Sequence, residues 1–294
     1  MGLRIGAMLA AACAAALSLI TASGESQEPA SPAPPVTIGV FGDSLADGLW
    51  VGLRWQLRGD NRIADVVQLS EVSTGFANWT YRDIAAKTEE QLGLGRYDIA
   101  VVMFGSNDMQ GIRDGTGSVH RFRSAGWEAV YRERVRIVLD LLHDHGAQVI
   151  WVGLPVMRSA GYDANVRHLN AIFEEEAEAA GAVYVSTREV SAGPDGGYSG
   201  YLEDASGTPR LMRADDGIHF TLPGYRRIAA PVAAVIDAAL ADPELGRPRP
   251  AEPETPAFES LVQLYIRGEP YVCLPASEAQ IDAALSPEAR RSRN

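Results

Sequence analysis

The 294-residue chain is predicted to fold as a three-layer α/β/α sandwich around a five-stranded parallel β-sheet. Two observations lead to this fold class. Five short runs rich in Val and Ile alternate along the chain with longer segments that have the apolar spacing of amphipathic helices. These runs also lack strict alternation of apolar and polar residues, which is typical of strands that helices cover on both faces.

The predicted strands all lie in the first two thirds of the chain. They are Val36–Phe41, Ile63–Leu69, Asp98–Phe104, Ala147–Leu154 and Ala182–Ser186. Each run contains at least two β-branched residues, which favour a pleated and buried surface.

Helical patterns fill most of the intervals between these strands and also follow the last strand. They cover Ala46–Leu57, Tyr81–Leu92, Trp127–Leu142, Val166–Phe173 and Pro223–Leu240. In the third pattern the apolar residues recur at helical spacing, which places them on one face of a helix. Strands and helices together predict one domain over residues 37–241.

Residues 1–24 are predicted to be a signal peptide. Arg4 precedes an apolar run from Ile5 to Ile20, and the small residues Ala22 and Gly24 fit a signal-peptidase site. An uncleaved anchor helix is the alternative, because the run approaches the length that spans a bilayer. With cleavage no membrane span is expected to remain, and the protein is expected to be periplasmic or secreted.

Proline-rich linkers are predicted on both sides of the domain, at residues 25–36 and 242–256. The second linker leads to a C-terminal tail, residues 257–294, whose apolar residues would allow it to dock on the domain. Inside the domain, Thr187–Gly217 is too long for an ordinary connection. We expect it to be a functional loop or to carry local structure.

The charge balance argues against one broad class of partner. The chain has 26 Lys and Arg residues against 38 Asp and Glu residues, and its net charge of −12 gives no support to nucleic-acid binding. Lys87 is the only lysine and falls on a predicted exposed helix face, so catalysis through a Schiff base is not expected.

The sequence shows no pattern typical of a metal site. Cys13 and Cys273 lack the spacing of a zinc site, and His143-Asp144-His145 is expected to end a helix. Neither a metal nor a cofactor is predicted.

Four short blocks of chemically useful residues lie at the ends of predicted strands or just before the last helix. They are Gly42-Asp43-Ser44-Leu45, Gly75, Gly105-Ser106-Asn107-Asp108 and Asp216-Gly217-Ile218-His219. Ligand sites in parallel sheets form at the edge where the carboxyl ends of the strands meet. Together the blocks supply a nucleophile, a base, a carboxylate and hydrogen-bond donors for one candidate site.

Ser44 is the candidate nucleophile, because it stands at a turn from a strand into a helix. Its hydroxyl needs an imidazole to remove the proton, and His219 is the candidate base. Asp216, three residues earlier, can reach the second ring nitrogen of His219 from the same turn, and Asp215 is the alternative partner. The structural alternative for Ser44 is an N-cap of the following helix.

The four blocks, in this order, resemble those of the SGNH, or GDSL, hydrolase superfamily, over residues 36 to about 240. The resemblance implies a flavodoxin-like fold, hydrolysis of ester bonds and no cofactor. The export signal and the tyrosine-rich loop before the last block resemble the bacterial periplasmic DUF459 branch.

Carried over residue by residue, the resemblance assigns roles to five positions. It implies that Ser44 is the nucleophile, His219 the base and Asp216 the partner of that base. It also implies an oxyanion hole made of the backbone N–H groups of Ser44 and Gly75 and the side-chain amide of Asn107.

Other polar residues close to these blocks have less specific expected roles. Asp43 and Asp108 are expected to hold their turns through hydrogen bonds. Tyr198, Tyr201 and Arg213 lie in or beside the long loop and have two interpretations. They could stack on a sugar ring or hold a carboxylate, or the loop could pack on itself as a lid.

The expected function is therefore that of an exported serine esterase acting on an ester-bearing small molecule or an acylated glycan. The first alternative is an O-acyltransferase that moves an acyl group onto a periplasmic or secreted glycan. The second is a non-catalytic glycan-binding module of the cell envelope. The complete set of Ser44, Asn107, Asp216 and His219 argues against the second alternative, because a binding module has no physical need for all four.

Overall fold

The structure of the protein is a computed structural model that describes residues 34–242, except Thr80 and Ala205, and the backbone of residues 265–266 and 269–270. The predicted signal peptide and nearly all residues of the predicted linkers and tail lie outside this described part.

Helices separate the five predicted strands as the sequence predicts, and six further short strands are present among the described residues. The strands are β1 (Val36–Gly42), β2 (Ile63–Ser70), β3 (Ile99–Met103), β4 (Ile112–Arg113), β5 (Val119–His120), β6 (Gln148–Val152), β7 (Val183–Val185), β8 (Tyr201–Glu203), β9 (Pro209–Leu211), β10 (Tyr265–Ile266) and β11 (Glu269–Pro270). The helices are α1 (Ser44–Gln56), α2 (Ile84–Leu92), α3 (Ala125–Asp144), α4 (Ala160–Ala179), α5 (Arg188–Ser191) and α6 (Leu222–Ala239).

Five strands form one parallel sheet in the order β2-β1-β3-β6-β7. This sheet confirms the predicted fold class, and each predicted strand is present with its ends shifted by two residues or fewer. The other strands pair as three short antiparallel hairpins, β4–β5, β8–β9 and β10–β11. Helix α2 starts three residues later than predicted because Asp83 caps it, accepting a hydrogen bond from the Ala86 N–H at 3.1 Å.

Burial on both faces, which the sequence predicts for all five strands, holds only in the middle of the sheet. Every residue of β3 is buried, whereas Ala64, Asp65 and Gln68 of β2 are exposed, as is Val183 of β7. The reason is position, because β2 and β7 are the edge strands and the helices that cover the sheet do not extend fully over them.

The helices form one layer on each side of the sheet. Helices α1 and α6 pack against each other on one side, and α2, α3 and α4 form the other layer. Right-handed crossovers produce this division, because the chain leaves β1 toward one edge of the sheet and then continues from β3 toward the other. On the side of the second layer, Tyr131 of α3 and Phe173 of α4 pack their rings together with those of Trp151 of β6 and Phe76.

The direction of the chain reverses between β1 and β3, which creates a crevice at their carboxyl ends. Gly42 closes β1 there with φ at 147°, in the region that favours glycine. A Cβ atom on Gly42 would lie 2.0 Å from the carbonyl oxygen of Met103, the last residue of β3. Glycine is therefore required for the ends of β1 and β3 to lie this close, and the first and third sequence blocks follow these two ends.

The segment Thr187–Gly217, which the sequence predicts to be a functional loop or to carry local structure, carries local structure. It contains the short helix α5 and the hairpin β8–β9, and it leads into the turn before α6. None of the helices in the described residues combines the length and the apolar character needed to cross a bilayer.

Candidate active site

Ser44 is the first residue of α1, and its hydroxyl is free of any capping role. Asp43 caps the helix instead, because its side chain accepts a hydrogen bond from the Leu45 N–H at 2.9 Å. The Ser44 Oγ lies 2.7 Å from Nε2 of His219. The Ser44 N–H is among the first N–H groups of a helix, which have no acceptor within the helix.

His219 and Asp216 lie on one turn before α6 and contact each other. The distance from His219 Nδ1 to Asp216 Oδ2 is 2.6 Å. The other carboxylate oxygen of Asp216 accepts the backbone N–H groups of Ile218 at 2.8 Å and His219 at 2.9 Å. Asp215, the alternative partner, is exposed and has no hydrogen bond to the histidine within the described residues.

The charge on Asp216 decides how the histidine ring is protonated. Partial burial raises the pKa of Asp216, but hydrogen bonds from the His219 ring and from the two backbone N–H groups outweigh it, and the pKa falls to about 2. An ionised carboxylate can only accept hydrogen bonds, so Nδ1 of the neutral ring carries the proton. Nε2 is then the acceptor for the hydroxyl of Ser44.

The loop after β3 is tied to the start of α1 by Asp43. Its Oδ2 accepts hydrogen bonds from Ser106 N at 3.0 Å and Ser106 Oγ at 2.7 Å. This contact fixes the neighbouring Asn107, whose Nδ2 donates to the Thr74 carbonyl at 2.9 Å. An amide Nδ2 has two hydrogens, so the second N–H of Asn107 remains for another acceptor.

Gly75 is required by a close approach, not only by a turn. A Cβ atom at this position would lie 2.2 Å from Oδ1 of Asp108. The Asp108 carboxylate is fully buried and accepts hydrogen bonds from Ala77 N at 2.8 Å and from the Tyr131 hydroxyl at 2.8 Å. Asp108 thus braces the loop that contains Gly75, in addition to its own.

Gly75 directly follows the residue whose carbonyl Asn107 contacts. The Thr74 carbonyl and the Gly75 N–H belong to one peptide unit, and no peptide bond in the described residues is cis, so the two groups point in opposite directions. Because that carbonyl accepts from the amide of Asn107, the peptide unit of Gly75 lies in contact with Asn107. The structure therefore connects Ser44 to His219, His219 to Asp216, and Asn107 to the peptide unit of Gly75, and the role of the Gly75 N–H as an oxyanion donor stays a prediction.

A family model matches more than half of the chain. A family model described as "Protein of unknown function (DUF459)" matches residues 37–235. The chain belongs to the DUF459 family. No curated protein matches it significantly.

Several solved structures are similar to this DUF459 protein. A GDSL-like lipase from Bacteroides thetaiotaomicron has 17% sequence identity and a TM-score of 0.48, over 69% of this chain and 88% of its own. The M. smegmatis aryl esterase has 15% identity and a TM-score of 0.49, over 69% and 99% of the two chains. A variant of Axe2, an acetyl xylan esterase from Geobacillus stearothermophilus, has 15% identity and a TM-score of 0.49, over 70% and 96%. Likeness at this level does not assign an activity, which has to come from the side chains of this chain.

Arg213 does not line the crevice of the DUF459 domain. Its side chain is buried and donates hydrogen bonds to backbone carbonyls, including Val156 O at 2.6 Å. The guanidinium carbon lies 4.8 Å from the centre of the Tyr198 ring, whereas Tyr201 is 62% exposed. For Arg213 and Tyr198 the structure favours a loop that packs on itself. No motif in the sequence indicates this, since the acceptors are carbonyls that any residue supplies.

The His143-Asp144-His145 segment ends α3 of the domain, as predicted. His145 is the C-cap, and its Nε2 accepts a hydrogen bond from the Tyr97 N–H at 3.3 Å. Within the described residues, no three His, Cys, Asp or Glu side chains are grouped so that they could hold a metal ion.

The buried Asp108 of this DUF459 domain should make stability depend on pH. Burial, assisted by the charge of Asp43, raises the pKa of Asp108 from 3.8 to about 6 even though its hydrogen bonds oppose the shift. The folded protein therefore binds more protons than the unfolded chain between these two values, and stability present below pH 3.8 is lost as the pH rises through about 6. In urea unfolding, the wild type should lose free energy of unfolding relative to Asp108→Asn between about pH 4 and pH 7.

The matched control for that titration is Asp215→Asn, which removes an exposed aspartate. It should follow the wild type across the same pH range. Parallel pH curves for the wild type and Asp108→Asn would contradict the assignment of the titration to Asp108.

Proposed function

We propose that this protein is an exported serine esterase that hydrolyses carboxylic esters through an acyl-enzyme on Ser44. The observation that carries the proposal is the unbroken chain of contacts from Ser44 Oγ through His219 to Asp216, with distances of 2.7 and 2.6 Å. A capping serine has no need for such a chain. A nucleophilic serine requires it, because a hydroxyl is a weak nucleophile until a base removes its proton.

In the first half of the proposed reaction, Ser44 Oγ attacks the ester carbonyl carbon while its proton moves to Nε2 of His219. The imidazolium that forms is stabilised by the ionised Asp216 at Nδ1. The carbonyl oxygen gains negative charge as the tetrahedral intermediate forms. When the intermediate collapses, the carbon–oxygen bond to the alcohol breaks and His219 gives its proton to the leaving oxygen.

The negative charge on the oxygen needs fixed hydrogen-bond donors. In the described conformation we assign this role to the N–H of Ser44 and the second N–H of the Asn107 amide. The proposed third donor is the N–H of Gly75, whose peptide unit contacts the Asn107 amide through the Thr74 carbonyl.

In the second half, His219 removes a proton from a water molecule, which attacks the carbonyl carbon of the acyl-enzyme. The bond from that carbon to Ser44 Oγ then breaks, His219 returns the proton to Ser44 Oγ, and the acid leaves. The proposed steps use side chains and backbone groups of this chain alone. We also propose a periplasmic or secreted location, which the apolar segment and small residues of the predicted signal peptide support.

The direct test of the function is incubation with short-chain aryl esters and acetylated or succinylated glycans, following both free acid and acylated sugar. We expect free acid from the wild type and none above background from Ser44→Ala, because the substitution removes the attacking oxygen. Melting temperature should be nearly unchanged in Ser44→Ala, since Asp43 caps the helix.

Two outcomes of that incubation would change the proposal. Acyl groups found on an added sugar would make the protein an O-acyltransferase with the same first half-reaction. Equal release of acid by the wild type and Ser44→Ala would exclude Ser44 as the nucleophile.

The role of Asp216 can be separated from that of its neighbour. Asp216→Asn puts an amide where His219 needs an acceptor for Nδ1–H and removes the charge that stabilises the imidazolium. The rate of ester hydrolysis should therefore fall by orders of magnitude, up to about 10⁴-fold. Asp215→Asn is the matched control and should stay within about twofold of the wild type, as an exposed substitution away from the contacts. An inactive Asp215 variant beside an active Asp216 variant would contradict the assignment.

A further inference from the structure

Arg213 is a buried cation whose acceptors are mainly carbonyl groups of the turn that carries the candidate base. Its side chain is 1% exposed. The guanidinium donates to Ile218 O at 2.9 Å, to Gly217 O at 3.3 Å and to His219 O at 3.3 Å. A fourth bond, to Val156 O at 2.6 Å, connects this turn to the loop after β6. One planar side chain thus holds two separate segments of chain beside the crevice.

Two aromatic rings complete the surroundings of this cation. The guanidinium carbon lies 4.1 Å from the centre of the Phe220 ring and 4.8 Å from that of Tyr198. Burial lowers the pKa of Arg213 to about 10, so the side chain remains charged at neutral pH. Burying a charged guanidinium costs free energy unless its N–H groups form hydrogen bonds. The N–H groups of the Arg213 guanidinium are satisfied because they bind several carbonyl oxygens at once, and they thereby fix the positions of these acceptors.

The carbonyls that Arg213 holds are coupled to the carboxylate of Asp216 through two peptide units. The Gly217 carbonyl and the Ile218 N–H form one unit, and the Ile218 carbonyl and the His219 N–H form the next. In a trans peptide these two groups point in opposite directions. In both units the carbonyl faces Arg213 while the N–H faces Asp216 Oδ1, at 2.8 and 2.9 Å.

We infer that Arg213 is the positioning residue for the Asp216–His219 pair. By orienting two peptide units it directs two N–H donors onto one oxygen of Asp216, which leaves the other oxygen directed at His219 Nδ1. The hydrogen bonds also polarise one another along such a chain, which strengthens each of them. Arg213 touches neither Ser44 nor the reacting atoms. Its effect on catalysis rests on the proposed function of Ser44, whereas its effect on the histidine ring does not.

The test compares Arg213→Gln and Arg213→Lys with a matched control, Arg227→Gln. Arg227 also donates to backbone carbonyls, Val190 O at 2.6 Å and Glu203 O at 2.8 Å, but holds no part of the turn. Arg213→Lys keeps the positive charge and much of the side-chain length. If Arg213→Gln does not fold, the comparison with Arg227→Gln is made with Arg213→Lys. Each variant is measured for kcat and KM on an aryl ester, and for the low-field proton resonance of His219 Nδ1–H, assigned by its loss in Asp216→Asn.

We expect both Arg213 variants to lower kcat by about 100-fold, the cost of a small misplacement of catalytic groups, with KM within about threefold. The Nδ1–H resonance should be shifted or lost in both variants and unchanged in Arg227→Gln. Lysine should not rescue, because one ammonium group cannot reach all of the carbonyls that the guanidinium holds.

The inference is overturned if the resonance and kcat of folded Arg213 variants equal those of Arg227→Gln, or if lysine restores full activity. A wild type that hydrolyses no ester but whose Nδ1–H resonance depends on Arg213 would refute the proposed function and leave the positioning role supported. An active wild type whose resonance depends on Asp216 but not on Arg213 would refute the positioning role and leave the proposed function supported.

Discussion

The buried carboxylate of Asp43 joins the end of β1 to the loop after β3. One of its oxygens caps α1 through the Leu45 N–H, and the other accepts two hydrogen bonds from Ser106. Ser44 stands next to the first contact and Asn107 next to the second, so the relative position of the proposed nucleophile and oxyanion donor depends on this one side chain. Complete burial raises the pKa of Asp43, and the three hydrogen bonds oppose that shift by stabilising the ionised form. The absence of a side chain at Gly42 allows the two strand ends to lie close enough for these bonds to form.

Other buried ionisable side chains around the crevice are likewise hydrogen-bonded mainly to uncharged backbone groups and hydroxyls. Asp43 and Asp108 accept backbone N–H groups and hydroxyl groups, and Arg213 donates to carbonyls. Each of these side chains therefore fixes the course of a loop, which a surface ion pair between two long side chains does poorly. Such preorganisation suits a site that stabilises developing charge, because donors that are already oriented need no rearrangement during the reaction. The turn with Asp216 and His219 is the most exposed part of the arrangement, and it is the part that Arg213 holds from beneath.

Much of the fold and of the candidate active site could be predicted from the sequence, and the remaining features could not, for physical reasons. The five strands of the sheet are readable because burial selects Val and Ile, and Ser44, Asp216 and His219 are readable because few other residue types perform their chemistry. The edge exposure of β2 and the late start of α2 depend on strand order and on one cap, neither of which periodicity reveals. The position of Arg213 is invisible in the sequence, since its acceptors are carbonyls of Val156 and of the turn.

The central claim is that Ser44 is an activated nucleophile, and covalent labelling tests it most directly. A fluorophosphonate probe reacts at neutral pH only with a serine whose proton a neighbouring base removes. After incubation of the wild-type protein, digestion and mass spectrometry should locate a single adduct on the peptide that contains Ser44, and His219→Ala should abolish that adduct. An adduct on another residue, or undiminished labelling of Ser44→Ala, would contradict the account.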